Sequence, residues 1–83
     1  MTAILEHAAS VIADRRATYG DPAASMATVA ARWSVTLKRP VTPAEVVFCM
    51  IDLKLARLAH DPTHHDSVVD VIGYAALLPE VIR

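Results

Sequence analysis

The chain has 83 residues, 54% of them hydrophobic and 20% charged, with a formal net charge of −1. That length allows one domain, residues 1–83, and a body this small leaves a large share of its surface in water. The near-neutral balance speaks against a general nucleic-acid binder, which carries a strong basic surplus.

The first predicted helix runs from about Thr2 to Ala17, where Ile4, Leu5, Ala8, Val11 and Ile12 recur at helical spacing. Tyr19-Gly20-Asp21-Pro22 breaks it: Gly20 suits a left-handed helix end, Asp21 can cap the next helix, and Pro22 fits its first position. The second helix is predicted from Pro22 to Leu37, with Met26, Val29, Ala30, Trp33 and Leu37 as its apolar stripe. Lys38 and Arg39 suit the negative end of its dipole, and Pro40 stops the winding.

The third helix opens with the capping box Thr42-Pro43-Ala44-Glu45 and runs to about Ala59. It is apolar nearly all round, which predicts burial at the centre of the bundle or of an oligomer. Cys49, the chain's one cysteine, is expected on it as a buried, inert thiol. His60 to His65 read as a loop. The fourth helix is predicted from Asp66, as its cap, to Leu78, with Pro79 ending it and Glu80 to Arg83 as a fraying tail. The fold class that follows is all-α, a small bundle of about four helices completed by oligomerisation. Self-association gives the high apolar fraction an outlet, so a homo-oligomer is expected.

Asp52, Lys54 and Arg57 interrupt the longest apolar run, so it falls short of the roughly 18–20 residues a membrane span needs. The start of the chain, with Glu6 and His7, lacks the layout of a signal peptide. A cytoplasmic setting without a membrane partner is expected.

The charged residues set among these apolar helices are the candidates for a site, because burying them is costly unless they pair or bind something. Asp66, Asp70, Gly73 and Leu77 share a stripe of the fourth helix. Gly73 costs that helix about 1 kcal/mol against alanine, which a close backbone or a ligand would explain. Asp70 can pair with Lys54 or Arg57, either as a structural bridge or as part of a phosphate clamp. Arg15 and Arg16 either offer charge to an anion beside Tyr19 or only satisfy their helix end. His60, His64, His65 and Asp66 match no standard zinc spacing, and the histidines are expected as exposed loop residues.

Tyr19-Gly20-Asp21-Pro22, Ala31-Arg32-Trp33, Thr42-Pro43, Lys54-Leu55-Ala56-Arg57 and the run from Asp66 through Asp70 and Gly73 to Tyr74 carry a resemblance. Together they resemble a family of small uncharacterised helical proteins of phages, prophages and bacterial genomes. A common form of that family has asparagine at the position of Ser25 and an aromatic at Met26, where this chain departs. More distantly, the chain is similar to the MazG-type all-α nucleoside triphosphate pyrophosphohydrolases. That likeness implies Mg2+ held by carboxylates, here Asp66 and Asp70 with Glu45 or Asp52 assisting. The close Glu-x-x-Glu pair of those enzymes is missing, and Glu45 and Asp52 stand roughly 10 Å apart along their helix.

The expected function is therefore a non-catalytic oligomer that binds a nucleotide or nucleotide-like phosphate metabolite, Mg2+ entering as a cofactor only under the enzyme alternative. Arg15, Arg16, Lys54 and Arg57 would supply charge, Tyr19 or Tyr74 would stack, and Asp66 and Asp70 would bond sugar or base edges. In a phage setting, the resemblance implies capture of a signalling nucleotide. The alternatives are the Mg2+-dependent pyrophosphohydrolase and a bundle that only meets other proteins.

Overall fold

Each helix of the chain is started or stopped by side chains that can be named. The computed structural model describes residues Thr2–Ile82 and holds α1 (Thr2–Tyr19), α2 (Pro22–Leu37), α3 (Pro43–His60) and α4 (His65–Val81). Among the described residues there is no strand. Gly20, at φ 83°, takes the left-handed position after α1, and its N–H donates to the Arg16 carbonyl at 2.9 Å. Asp21 caps α2 by accepting from the Ala23 N–H at 3.3 Å, with Pro22 in the first turn.

Lys38 closes α2 in the left-handed region, at φ 58°, which departs from its expected role as a mere dipole charge. Ser34 then ties down the turn. Its hydroxyl donates to the Ala30 carbonyl at 2.7 Å and accepts from the Val41 N–H at 2.9 Å. The capping box of α3 is complete: Thr42 Oγ1 accepts from the Glu45 N–H at 3.1 Å, and Glu45 Oε1 accepts from the Thr42 N–H at 2.9 Å.

Two boundaries of α4 differ from expectation. His64, not Asp66, is its cap: the ring Nδ1 accepts from the Ser67 N–H at 3.2 Å, and the Ser67 hydroxyl lies 2.6 Å away. Asp61 sets this up by accepting from the Thr63 N–H and hydroxyl at 3.1 and 2.7 Å, a local turn that delivers His64 to the helix start. Nor does Pro79 end the helix, which continues to Val81. A proline removes one helical hydrogen bond and crowds the carbonyl four residues back, but here the turn that follows is held from outside, because Glu80 beside it is anchored to α1 by Arg16. The chain is thus helical through Val81 with Ile82 as its cap, and Arg83 lies outside the described residues.

Both α2 and α4 pack against all three other helices, α4 the more extensively and so at the centre, while α1 and α3 do not pack on each other. Within one chain, then, α3 is not the central helix, and the expectation of its burial at the centre of the bundle fails. Its inner face buries Val46 and Val47, but nothing covers the outer face, and Phe48, Leu53 and Leu55 are half exposed. Cys49 is exposed there too, contrary to its expected burial. The other buried apolar side chains are Ala8, Ala30 and Val69, so among the described residues no fully buried apolar residue exceeds valine in size. The body is a flattened plate, 39 × 30 × 20 Å, with a radius of gyration of 13.4 Å against about 12 Å for a globule of this length. No helix among the described residues is long and apolar enough to cross a membrane.

Candidate functional site

Helices α1 and α4 lie side by side and run in the same direction. His7 meets His65 near their starts, with stacked rings and 3.1 Å between Nδ1 and Nε2. Near their ends, Arg16 donates to both carboxylate oxygens of Glu80 at 2.8 and 3.1 Å. Between these two ties the helices leave an open groove of about 270 Å3, closed on one side by the start of α2.

The groove is mostly apolar. Ile12, Met26, Val69 and Leu77 form much of its wall, and Arg15, Tyr19, Asp70 and Tyr74 are its main polar or aromatic features. An apolar cleft with a few convergent polar groups is the usual form of a small-molecule site.

Gly73 stands in the groove. A Cβ built on it would meet only Ile12 Cγ1, at 3.8 Å, an ordinary contact. Packing of the protein therefore does not require glycine here, and the expected close approach of a neighbouring backbone is absent. The missing side chain instead leaves a flat strip of helix surface open to the groove.

Asp70 carries the charge at one end. Its Oδ2 lies 3.1 Å from Lys54 Nζ, and both side chains are largely buried, at 20% and 16% exposure. Of the two cations expected to meet Asp70, Lys54 is the one that does. Arg57 is exposed near the end of α3 and does not line the groove, and Asp66 is exposed outside it as well. At the other end, Arg16 is bound to Glu80, whose hydrogen bond and charge raise the guanidinium above its ordinary pKa. Arg16 is therefore already paired, and Arg15 is the groove cation without an ion pair among the described residues.

Of the eight ligand-binding residues expected from sequence, the groove gathers Arg15, Arg16, Tyr19, Asp70 and Tyr74, and Lys54 reaches it through Asp70. Sequence reasoning missed Glu80, which fixes Arg16, and His7, which meets His65. A paired carboxylate 64 residues away leaves no local pattern to read. Ser25 and Met26, the two departures from the common form of the resembling family, both stand in the groove wall.

The carboxylates do not fit one Mg2+ centre within a chain. Glu45 is committed to Thr42 and lies 3.7 Å from Arg39, Asp52 is exposed on α3, and Asp70 holds Lys54. Among the described residues no three His, Cys, Asp or Glu side chains gather into a set able to hold a metal ion.

The protein-family model described as "Domain of unknown function (DUF6378)" matches residues 3–82. The "Gene 55 protein" of Mycobacterium phage L5 is 40% identical over 81 residues, covering 94% of this chain and 51% of the relative. The "Gene 55 protein" of Mycobacterium phage D29 is 32% identical over 79 residues, covering 94% of this chain and 52% of the relative. The chain thus spans about half the length of the curated relatives it matches. No solved structure matches it. A match across nearly the whole chain, with mycobacteriophage proteins among its relatives, makes this all-helical chain a member of the DUF6378 family.

Proposed function

We propose that the α1–α4 groove binds a nucleotide or nucleotide-like phosphate metabolite without turning it over. The observation that carries this reading is Gly73. A helix-interior glycine that the protein's own packing does not need, facing an apolar groove, is what a flat ligand would require. Arg15 supplies a cation for phosphate at one end, and Tyr19 and Tyr74 supply aromatic surface. Copies of the chain associate over the uncovered outer face of α3, in the host cytoplasm if the protein is phage-encoded. Capture of a signalling nucleotide is the role this chemistry suits.

Thermal melting in the presence of nucleoside mono-, di- and triphosphates tests the reading. A ligand at 100 times its dissociation constant adds about 2.7 kcal/mol of stability, a shift of many degrees for a domain this small. Arg15→Ala should abolish the shift, and Arg57→Ala, outside the groove, should keep it. Absence of any shift across the panel would remove the reading. A MazG-type pyrophosphohydrolase would need carboxylates from a second copy to complete its Mg2+ site. Pyrophosphate release in the same incubations, lost in Asp70→Ala, would favour that chemistry instead.

A further inference from the structure

We propose that the groove selects a guanine base, read by the carboxylate of Asp70. This deepens the nucleotide reading above and rests on it. Asp70 is the carboxylate that lines the groove, and an ionised carboxylate only accepts hydrogen bonds. Lys54 occupies Oδ2 and balances its charge, and a carboxylate with about four lone-pair sites keeps acceptor capacity for a ligand.

The position of Gly73 decides which part of a nucleotide meets Asp70. Gly73 lies three residues beyond Asp70 on α4, one turn along the same groove-lining face. A planar ring lying on that bare strip presents its edge to the carboxylate. Gly73 also stands beside Ile12, and Arg15 lies three residues further along α1. Two steps of three residues at 1.5 Å each put Arg15 about 9 Å from Asp70 along the groove. That separation suits one nucleoside 5′-phosphate, with the base edge at Asp70 and the phosphate at Arg15.

Base chemistry then discriminates. Guanine places two adjacent donors, N1–H and the N2 amino group, on one edge, and a carboxylate accepts both. Adenine and cytosine set a ring-nitrogen lone pair beside their amino group, which faces the carboxylate with like charge. Uracil and thymine flank their single N–H with carbonyls. Hypoxanthine keeps N1–H and lacks the N2 amino group, so it isolates the second hydrogen bond.

Calorimetric titration of the wild-type chain with GTP, ITP and ATP, which share one triphosphate, provides the test. GTP should bind tightest, ITP about tenfold or more weaker for the loss of one hydrogen bond to a charged group, and ATP weaker than ITP. Asp70→Asn, checked for folding by circular dichroism, should bring the three ligands within a few-fold of one another. Equal affinities in the wild type, or ATP at or above GTP, would overturn base selection and leave phosphate binding standing. No binding by any of the three would overturn both. Should Asp70→Asn fail to fold, the wild-type order alone decides.

Discussion

Gly73 links helix stability to ligand binding. It occupies the interior of α4, where glycine costs about 0.5–1 kcal/mol relative to alanine through backbone entropy. The space beside it would accept a methyl group, since the nearest atom, Ile12 Cγ1, is 3.8 Å from a built Cβ. Gly73→Ala is therefore expected to raise unfolding stability by about 0.5–1 kcal/mol in denaturant titration. The same methyl group narrows the groove, so nucleotide binding should weaken at least tenfold. Unchanged affinity in the more stable variant would show that no ligand lies on that strip. Glu45 makes a second residue-scale case. The Thr42 N–H that it accepts, then the nearby Arg39, hold its carboxyl below the usual value of 4.5. A lowered value in the folded state means that the charged form contributes stability fully above pH 4.5, and that this share is lost as acid protonates the group. Glutamine at this position keeps the cap geometry but not the charge. Melting temperatures of Glu45→Gln should therefore lie below wild type at pH 7, and the gap should close as the pH falls below 4.5.

At the scale of elements, what was legible in the sequence was what short-range chemistry encodes. The start and end of α2 and the start of α3 follow from Asp21-Pro22, Pro40 and Thr42-Pro43, because each of these residues acts on a backbone group within a few positions. The start of α4 was misread because Asp66 is a commoner cap than histidine. The Asp61–Thr63 turn delivers His64 instead, and Ser67, buried beneath it, completes the contact. The site was legible in part for a related reason. Helical spacing grouped Asp70 with Gly73, but only the packing of α1 along α4 could show that Arg15 and Tyr19 face them. The far end of α4 depends on tertiary contact in the same way. Beyond Pro79 the last turn lacks one of its hydrogen bonds and is anchored by the Arg16–Glu80 pair, at 2.8 Å. Arg16→Ala should release it. Because both side chains are partly exposed, the global melting temperature is expected to change little. Amide exchange at Glu80, Val81 and Ile82 should speed markedly while exchange at Val69 and Asp70 holds. Equal acceleration along all of α4 would mean that the pair supports the whole helix and not its end.

At the scale of the whole molecule, a thin core meets a large uncovered apolar face. The fully buried apolar side chains stop at valine, and the plate is 20 Å thick, so little of the hydrophobic content is enclosed by one chain. Phe48, Leu53 and Leu55 of α3 stand half exposed, with Cys49 beside them and Asp52 as the charge in their midst. Solvent-facing stripes of surface helices are normally rich in charge, so this face has the composition of an interface core. The central helix α4 does not cover it, since these side chains stay half exposed although α3 packs on α4. A second copy meeting α3 with its own α3 would hide both faces at once, as two-fold symmetry allows. Leu55→Lys places a charge in that seam at a position half exposed in the single chain. Light scattering behind a sizing column is expected to give an oligomer for the wild type and a monomer for Leu55→Lys. The circular dichroism spectrum of the variant should retain its helical signal, and its melting temperature should lose the concentration dependence expected of the wild type. A wild-type chain that stays monomeric at millimolar concentration would remove self-association. The face would then have to be covered by some other partner, such as the half of the relatives' length that this chain does not span.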